Sequence, residues 1–186
     1  ILWERLRRMD QDLCALKMAW DLREQGLGGI WRHIIASPLG DVAILAAEIW
    51  DDFGGTLDVP ELDTFARLAP EWLSDAALLG EVDSYTCDIL DARMQKSLRD
   101  VCGVQQLTPK DLYTLSVLPG DGSYLAPVAR TVLFGPEFRS VPDPVNEAHI
   151  RQILEECEVL RSSPLVFSDS ELEKKIFPVR QLDTLA

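Results

Sequence analysis

Leu2-Trp3-Glu4-Arg5-Leu6-Arg7-Arg8-Met9-Asp10-Gln11-Asp12-Leu13-Cys14-Ala15-Leu16-Lys17-Met18-Ala19-Trp20 is the stretch that decides the fold. Leu2, Leu6, Met9, Leu13, Leu16 and Trp20 recur within it at steps of four and three, the spacing that lines one side of an α-helix. The residues predict a helix of about six turns with a single apolar seam. Gly26, Gly28 and Gly29 end it. A seam of that length has to be covered, and the rest of the chain supplies further apolar helices to cover it.

Working outward, a short apolar helix is expected over residues Ile30 to Ala36, closed by Ser37-Pro38. Asp41 caps a third helix carrying Val42, Leu45 and Ile49, which Gly54-Gly55 stops. Asp58-Val59-Pro60-Glu61 reads as a capping box with Pro in the first turn, opening a helix to about Leu68. Leu78, Val82, Tyr85, Ile89 and Ala92 form a second long periodic run, predicted to continue to Cys102-Gly103. Thr108-Pro109 starts a short helix that ends near Leu118 at the turn Pro119-Gly120-Asp121-Gly122.

Residues 123–142 are the least helical part. Val128 to Phe134 is a compact apolar run before Gly135-Pro136 and fits either a buried strand or a short helix. Asp143-Pro144 caps a helix with Ile150, Ile153, Leu154, Cys157 and Leu160, broken by Ser162-Ser163-Pro164. Lys175-Ile176-Phe177-Pro178-Val179 is strand-like. The expected fold class is mainly α: a helical domain with one or two short strands late in the chain, between about 124 and 134 and at 176–179. Two regions are expected, a helical N-terminal extension over residues 1–57 and a second helical region over 58–186.

Composition narrows the function. With 47% hydrophobic and 26% charged residues, the 186-residue chain has globular usage. A formal net charge of −13 argues against binding a phosphate backbone, so no nucleic-acid partner is expected. Arg5, Arg7 and Arg8 beside Glu4 and Asp10 are the one basic knot and read as a solvated helix face. Cys14, Cys87, Cys102 and Cys157 form no C-x-x-C pair and are expected to be reduced core thiols. No apolar run approaches the ~20 residues of a membrane span, and no leader-like stretch opens the chain. An intracellular protein of the nucleus or cytoplasm is expected, with this chain a piece of something longer.

Chemistry-bearing motifs are sparse. Two histidines, His33 and His149, are too few for a histidine-rich metal site. His149 and Cys157 share one helix eight residues apart, about 12 Å by helical rise, too far for a catalytic dyad. Phosphate-binding glycine loops and the nucleophile-elbow pattern are absent from the sequence. Gly55-Thr56-Leu57-Asp58-Val59-Pro60-Glu61 matches the second half of a calcium-binding EF-hand loop. Trp50 and Gly54 then stand where the first and fifth loop positions need oxygen ligands, leaving Asp52 alone. A helix stop followed by a capping box explains the same residues. The expectation is no metal, no cofactor and no complete catalytic constellation.

Pro70-Glu71-Trp72-Leu73-Ser74-Asp75, leading into a long amphipathic helix, resembles the Trp-Leu-x-Asp signature that opens one family of cysteine proteases. These are the SUMO-specific enzymes that process ubiquitin-like proteins. Phe167 to Val179, a charged segment running into Lys175-Ile176-Phe177-Pro178-Val179, is similar to that family's approach to its catalytic histidine. The resemblance covers residues from about 65 to 186. It implies that Trp72 lines the tunnel gripping the Gly-Gly tail of the modifier, and that Asp75 faces a basic group on the modifier. The family's catalytic residues all lie after the Pro-Val strand, so the resemblance places none in this chain. On this basis the chain is expected to be a fragment of a cysteine protease recognising ubiquitin-like modifiers, with an α+β fold. The alternative is a non-catalytic, all-helical protein–protein interaction module, its partner an unidentified protein.

Overall fold

Leu6, Met9, Leu13 and Leu16 are wholly buried and Trp20 nearly so, which makes the opening seam the axis of the core. A computed structural model describes residues 1–52, 61–95, 106–118, 122–168 and 175. Among them, α1 (Leu2–Glu24) is packed on by α2 (Gly29–Ile35), α3 (Gly40–Asp52), α4 (Glu61–Ser74) and α5 (Ala76–Met94). The positive φ of Gly26, at 86°, allows the turn out of α1, a conformation open to glycine at little cost. Trp20, Trp31 and Trp50 then meet where the first three helices converge, with ring centroids 5.2 to 6.4 Å apart. The Arg23 guanidinium covers the outer side of this cluster, 4.2 Å from the Trp20 ring.

The second half adds α6 (Pro109–Leu115), a two-stranded antiparallel hairpin, α7 (Ala129–Phe134), the single turn α8 (Pro136–Arg139) and α9 (Pro144–Glu156). Thr108 opens α6 with a capping box shared with Asp111. Asp143 caps α9 by accepting from the backbone N–H groups of Val145 and Asn146. In the hairpin, β1 (Val117–Leu118) pairs with β2 (Gly122–Ser123). The Ser116 and Ser123 hydroxyls sit 2.5 Å apart beneath it. Tyr124 follows, fully buried edge-on against Phe65, and its hydroxyl donates to Asp10 at 2.9 Å. One apolar core runs from Leu6 to Phe138, so the regions on either side of residue 57 share it. A smaller cluster of Cys87, Val141 and Ile150 lies beside it, with Leu165 and Phe167 packed on top.

The mainly helical class with a short sheet late in the chain is the observed one, and five local expectations are corrected. The strands fall at 117–118 and 122–123, before the 124–134 window. The Val128–Phe134 run instead becomes the end of a 3-10 turn and α7, because Ala129, Val132 and Leu133 bury one helical stripe. Helix α4 does not stop near Leu68 but continues through Pro70 to Ser74. A proline inside a helix costs about 3 kcal/mol. Burying Trp72 and Leu73 on the stripe begun by Phe65, Leu68 and Ala69 returns roughly 1.5–3 kcal/mol per side chain and offsets it.

The third correction concerns α5, whose buried face is Leu78, Leu79, Val82, Asp83, Thr86 and Cys87. Tyr85 and Ala92, assigned to the seam by spacing, are exposed. The fourth explains the third. Arg5 does not belong to the solvated basic knot: it is 0% exposed and donates Nε and Nη2 to Asp83 at 2.7 and 2.5 Å. Its Nη1 donates to the carbonyls of Phe138 and Ser140. Arg5, which reads as surface, and Asp83 therefore turn the faces of α1 and α5 towards each other. Cys87 and Cys157 are core residues as expected, whereas Cys14 is exposed on α1.

Candidate functional site

Trp72 occupies the last turn of α4 and is 0% exposed. Its Nε1–H donates to Asp12 Oδ2 at 3.1 Å, which joins α4 to α1. Asp75 sits three residues on, at the junction of α4 and α5. Its Oδ1 accepts from the backbone N–H groups of Ala77 and Leu78 at 2.8 and 3.0 Å, so it is the N-cap of α5. In this fold one residue is a core anchor and the other starts a helix. Residues 176–179, the strand that the protease resemblance would place beside Trp72, lie outside the described residues. So do Cys102 and residues 53–60 of the calcium-loop stretch.

Burial raises the Asp12 carboxyl above its ordinary value of 3.8, against the opposing pull of Arg8 and the Trp72 hydrogen bond. An acid whose folded pKa is raised stabilises the fold most below its unfolded value, and that contribution is lost as pH rises through the folded pKa. Asp12→Asn keeps an acceptor for Trp72 and removes the titration. The melting temperature of the variant minus that of the parent should therefore climb as pH rises from below 3.8 towards neutrality. A difference that stays flat or falls over that window in thermal melts would show that Asp12 is not desolvated.

A cleft of about 810 Å³ lies between the start of α1, the end of α5, α7 and the C-terminal end of α9. Its walls are Leu2, Leu90, Leu107, Leu133, Ile153 and Leu154, with Leu165 on the segment after α9. Two aromatic side chains stand on it and remain open to solvent, Trp3 at 40% and Phe134 at 63% exposed. Arg93, Arg139 and Asp111 supply its charge. Arg139 is held there because its Nε donates to the Pro164 carbonyl. Asp111 is an ordinary exposed carboxylate held below its usual range by hydrogen bonds from Thr108.

Leu2, Ile153 and Leu154 were placed on helix seams by spacing and Leu133 and Phe134 in an apolar run, but nothing grouped them as a cleft, since its lining comes from six helices and the segment after α9. The available signal was negative: Trp3 falls off the apolar seam of α1, and Phe134 sits at the end of a short run. A smaller hollow of about 260 Å³ lies between α3 and α4, lined by Asp41, Glu71 and Asp75 with Val42 and Leu45.

Catalytic geometry is thin. His149 on α9 lies 3.1 to 3.2 Å from the Asp91 carboxylate on α5, a partly exposed contact. Among the described residues no three or more His, Cys, Asp or Glu side chains converge as a metal site would need, and no helix is long and apolar enough to cross a membrane. Comparison with models of protein families, with curated proteins and with solved structures finds no match to this chain.

Proposed function

We infer that this chain is a non-catalytic helical interaction module whose cleft takes a short protein segment with an apolar face and acidic flanks. The observation that carries this is the pair Trp3 and Phe134, two aromatic rings left substantially exposed on one apolar cleft. Aromatic side chains beside a concave apolar surface are the usual anchors of protein–protein contacts. The volume also suits side chains of a bound segment. Charge selects the partner. The chain as a whole carries −13, yet the cleft lining holds two arginines against one aspartate. An acidic flank is repelled by most of this surface and accepted here. The protease-fragment alternative needs Trp72 and Asp75 as contact residues, and in this fold the first is interior and the second is committed to capping α5.

A direct test uses a synthetic amphipathic peptide with Leu at helical spacing and Glu on its flanks, against the same peptide with Lys flanks. The Glu peptide should bind saturably and shift Trp fluorescence, and the Lys peptide should bind at least about tenfold more weakly. Trp3→Ala combined with Phe134→Ser should abolish binding while leaving the melting temperature within a few degrees, because both rings are exposed. Equal affinity for both peptides, or none for either, overturns the assignment. Saturable binding of a ubiquitin-like modifier ending in Gly-Gly, unaffected by the double substitution, would favour the protease fragment instead.

A further inference from the structure

Glu147 is an anomaly on α9: a carboxylate only 3% exposed in a helix whose other acids face solvent. It holds down the segment that follows α9. Its carboxylate accepts from the Ser168 backbone N–H and, at 2.6 Å, from the Ser168 hydroxyl. Arg151, one turn on, lies 3.6 Å from the same carboxylate and stacks on the Phe167 ring. Further back, the Val166 N–H donates to the Arg139 carbonyl at 3.0 Å, and Ser140 and Val166 form a parallel bridge. Residues 163–168 are thus an extended strap held to α9 at Ser168. Leu165 and Phe167 on the strap cover the cluster of Cys87, Val141 and Ile150.

Ser168 is exposed as a residue although its hydroxyl points to Glu147, and the sequence continues Asp169-Ser170-Glu171. Acids at the first and third positions after a serine favour acid-directed serine kinases; Ser170, followed by Glu171 and Glu173, has the same pattern, and it is Ser168 whose hydroxyl Glu147 holds. We propose that Ser168 is a phosphorylation site and that its phosphate releases the strap from Glu147. In the transfer, Ser168 Oγ bonds to the γ-phosphorus of ATP, the bond from that phosphorus to the β-phosphate oxygen breaks, ADP leaves, and the hydroxyl proton goes to the kinase's base. The product has lost the hydroxyl donor, keeps only its backbone N–H towards Glu147, and carries about −1.5 to −2 charge at pH 7 beside that carboxylate. The two like charges repel, and with Ser168 already at the surface the phosphate moves into water, so this part of the strap leaves α9. The kinase takes the strap in its transiently opened form, and the phosphate keeps it open. Release exposes Cys87, whose thiol is pushed up to about 12 by burial in the closed form and returns towards ordinary reactivity in water.

The test treats the full chain with an acid-directed serine kinase and ATP, maps the phosphate by mass spectrometry, and measures maleimide labelling of Cys87 in the mapped peptide. Phosphate at Ser168 should raise the Cys87 labelling rate by about tenfold or more, as expected when charge-assisted hydrogen bonds holding an element are lost. Glu147→Gln keeps an acceptor for Ser168 without the charge, so the phosphorylated variant should show a much smaller increase. Phosphate confined to Ser170 or to other residues overturns the proposal. So does phospho-Ser168 with a Cys87 rate that is unchanged or lower, or an increase as large in the Glu147→Gln background.

Discussion

Asp83→Ala is expected to lower the stability of this fold by about 3–5 kcal/mol, the cost of leaving a buried charge without its partner. Arg5 and Asp83 are both 0% exposed, and their two hydrogen bonds join α1 to α5 across 78 positions of sequence. The third arm of the guanidinium holds the carbonyls at 138 and 140, where α8 ends. Removing the carboxylate leaves a buried cation with the carbonyls of Phe138 and Ser140 as its remaining hydrogen-bond acceptors among the described residues. Three elements lose their common point at once. Truncating Arg5 to Met should cost a similar amount, because Asp83 is then the stranded charge. The double change Arg5→Met with Asp83→Leu should recover much of the loss, since apolar groups of similar volume need no hydrogen bonds there. Urea unfolding of the three variants measures this. A loss below about 1 kcal/mol for Asp83→Ala, the scale of an exposed pair, would mean that water reaches the pair in solution.

Trp72→Ala should be nearly as damaging, at about 3–5 kcal/mol for the loss of a large buried ring. The ring sits where α4 meets α1 and extends the stripe that carries α4 past Pro70. Its removal leaves a cavity and also deprives Asp12 of the indole donor, so a partly buried carboxylate loses a partner. Trp72→Phe separates the two effects. It retains most of the apolar volume and drops the N–H, and should cost less than half as much. The same pair of variants bears on the origin of the Trp-Leu-x-Asp match. A ring that serves mainly as a tunnel wall would tolerate Ala with little change in stability and show its loss in binding to a modifier. A ring that serves the core would show the reverse, with α4 fraying from Pro70 onwards in hydrogen exchange.

The sequence by itself determined what depends on near neighbours along the chain. The steps of four and three from Leu2 to Trp20 gave α1 and its buried side, because helical periodicity is a property of a single segment. The starts of α6 and α9 were legible for the same reason: Thr108 and Asp143 reach backbone donors two or three residues ahead. A short sheet late in the chain was expected, but over residues 124–134 rather than at 117–118 and 122–123, where strand pairing decides it. Tertiary structure alone decided the rest. Whether Arg5 is a surface charge or a core clamp depends on Asp83, and only the packing of α1 on α5 brings the two together. That packing in turn chose the buried face of α5 and put Tyr85 outside. Pro70 reads as a break within its own window, and it is overridden by apolar burial that its window does not contain. The candidate cleft was the least legible feature. Its walls come from elements as far apart as Trp3 and Leu165, and a concave surface has no signature in any one of them. A charge or a cleft wall takes its free energy from whatever lies opposite, and in this chain what lies opposite is distant in sequence.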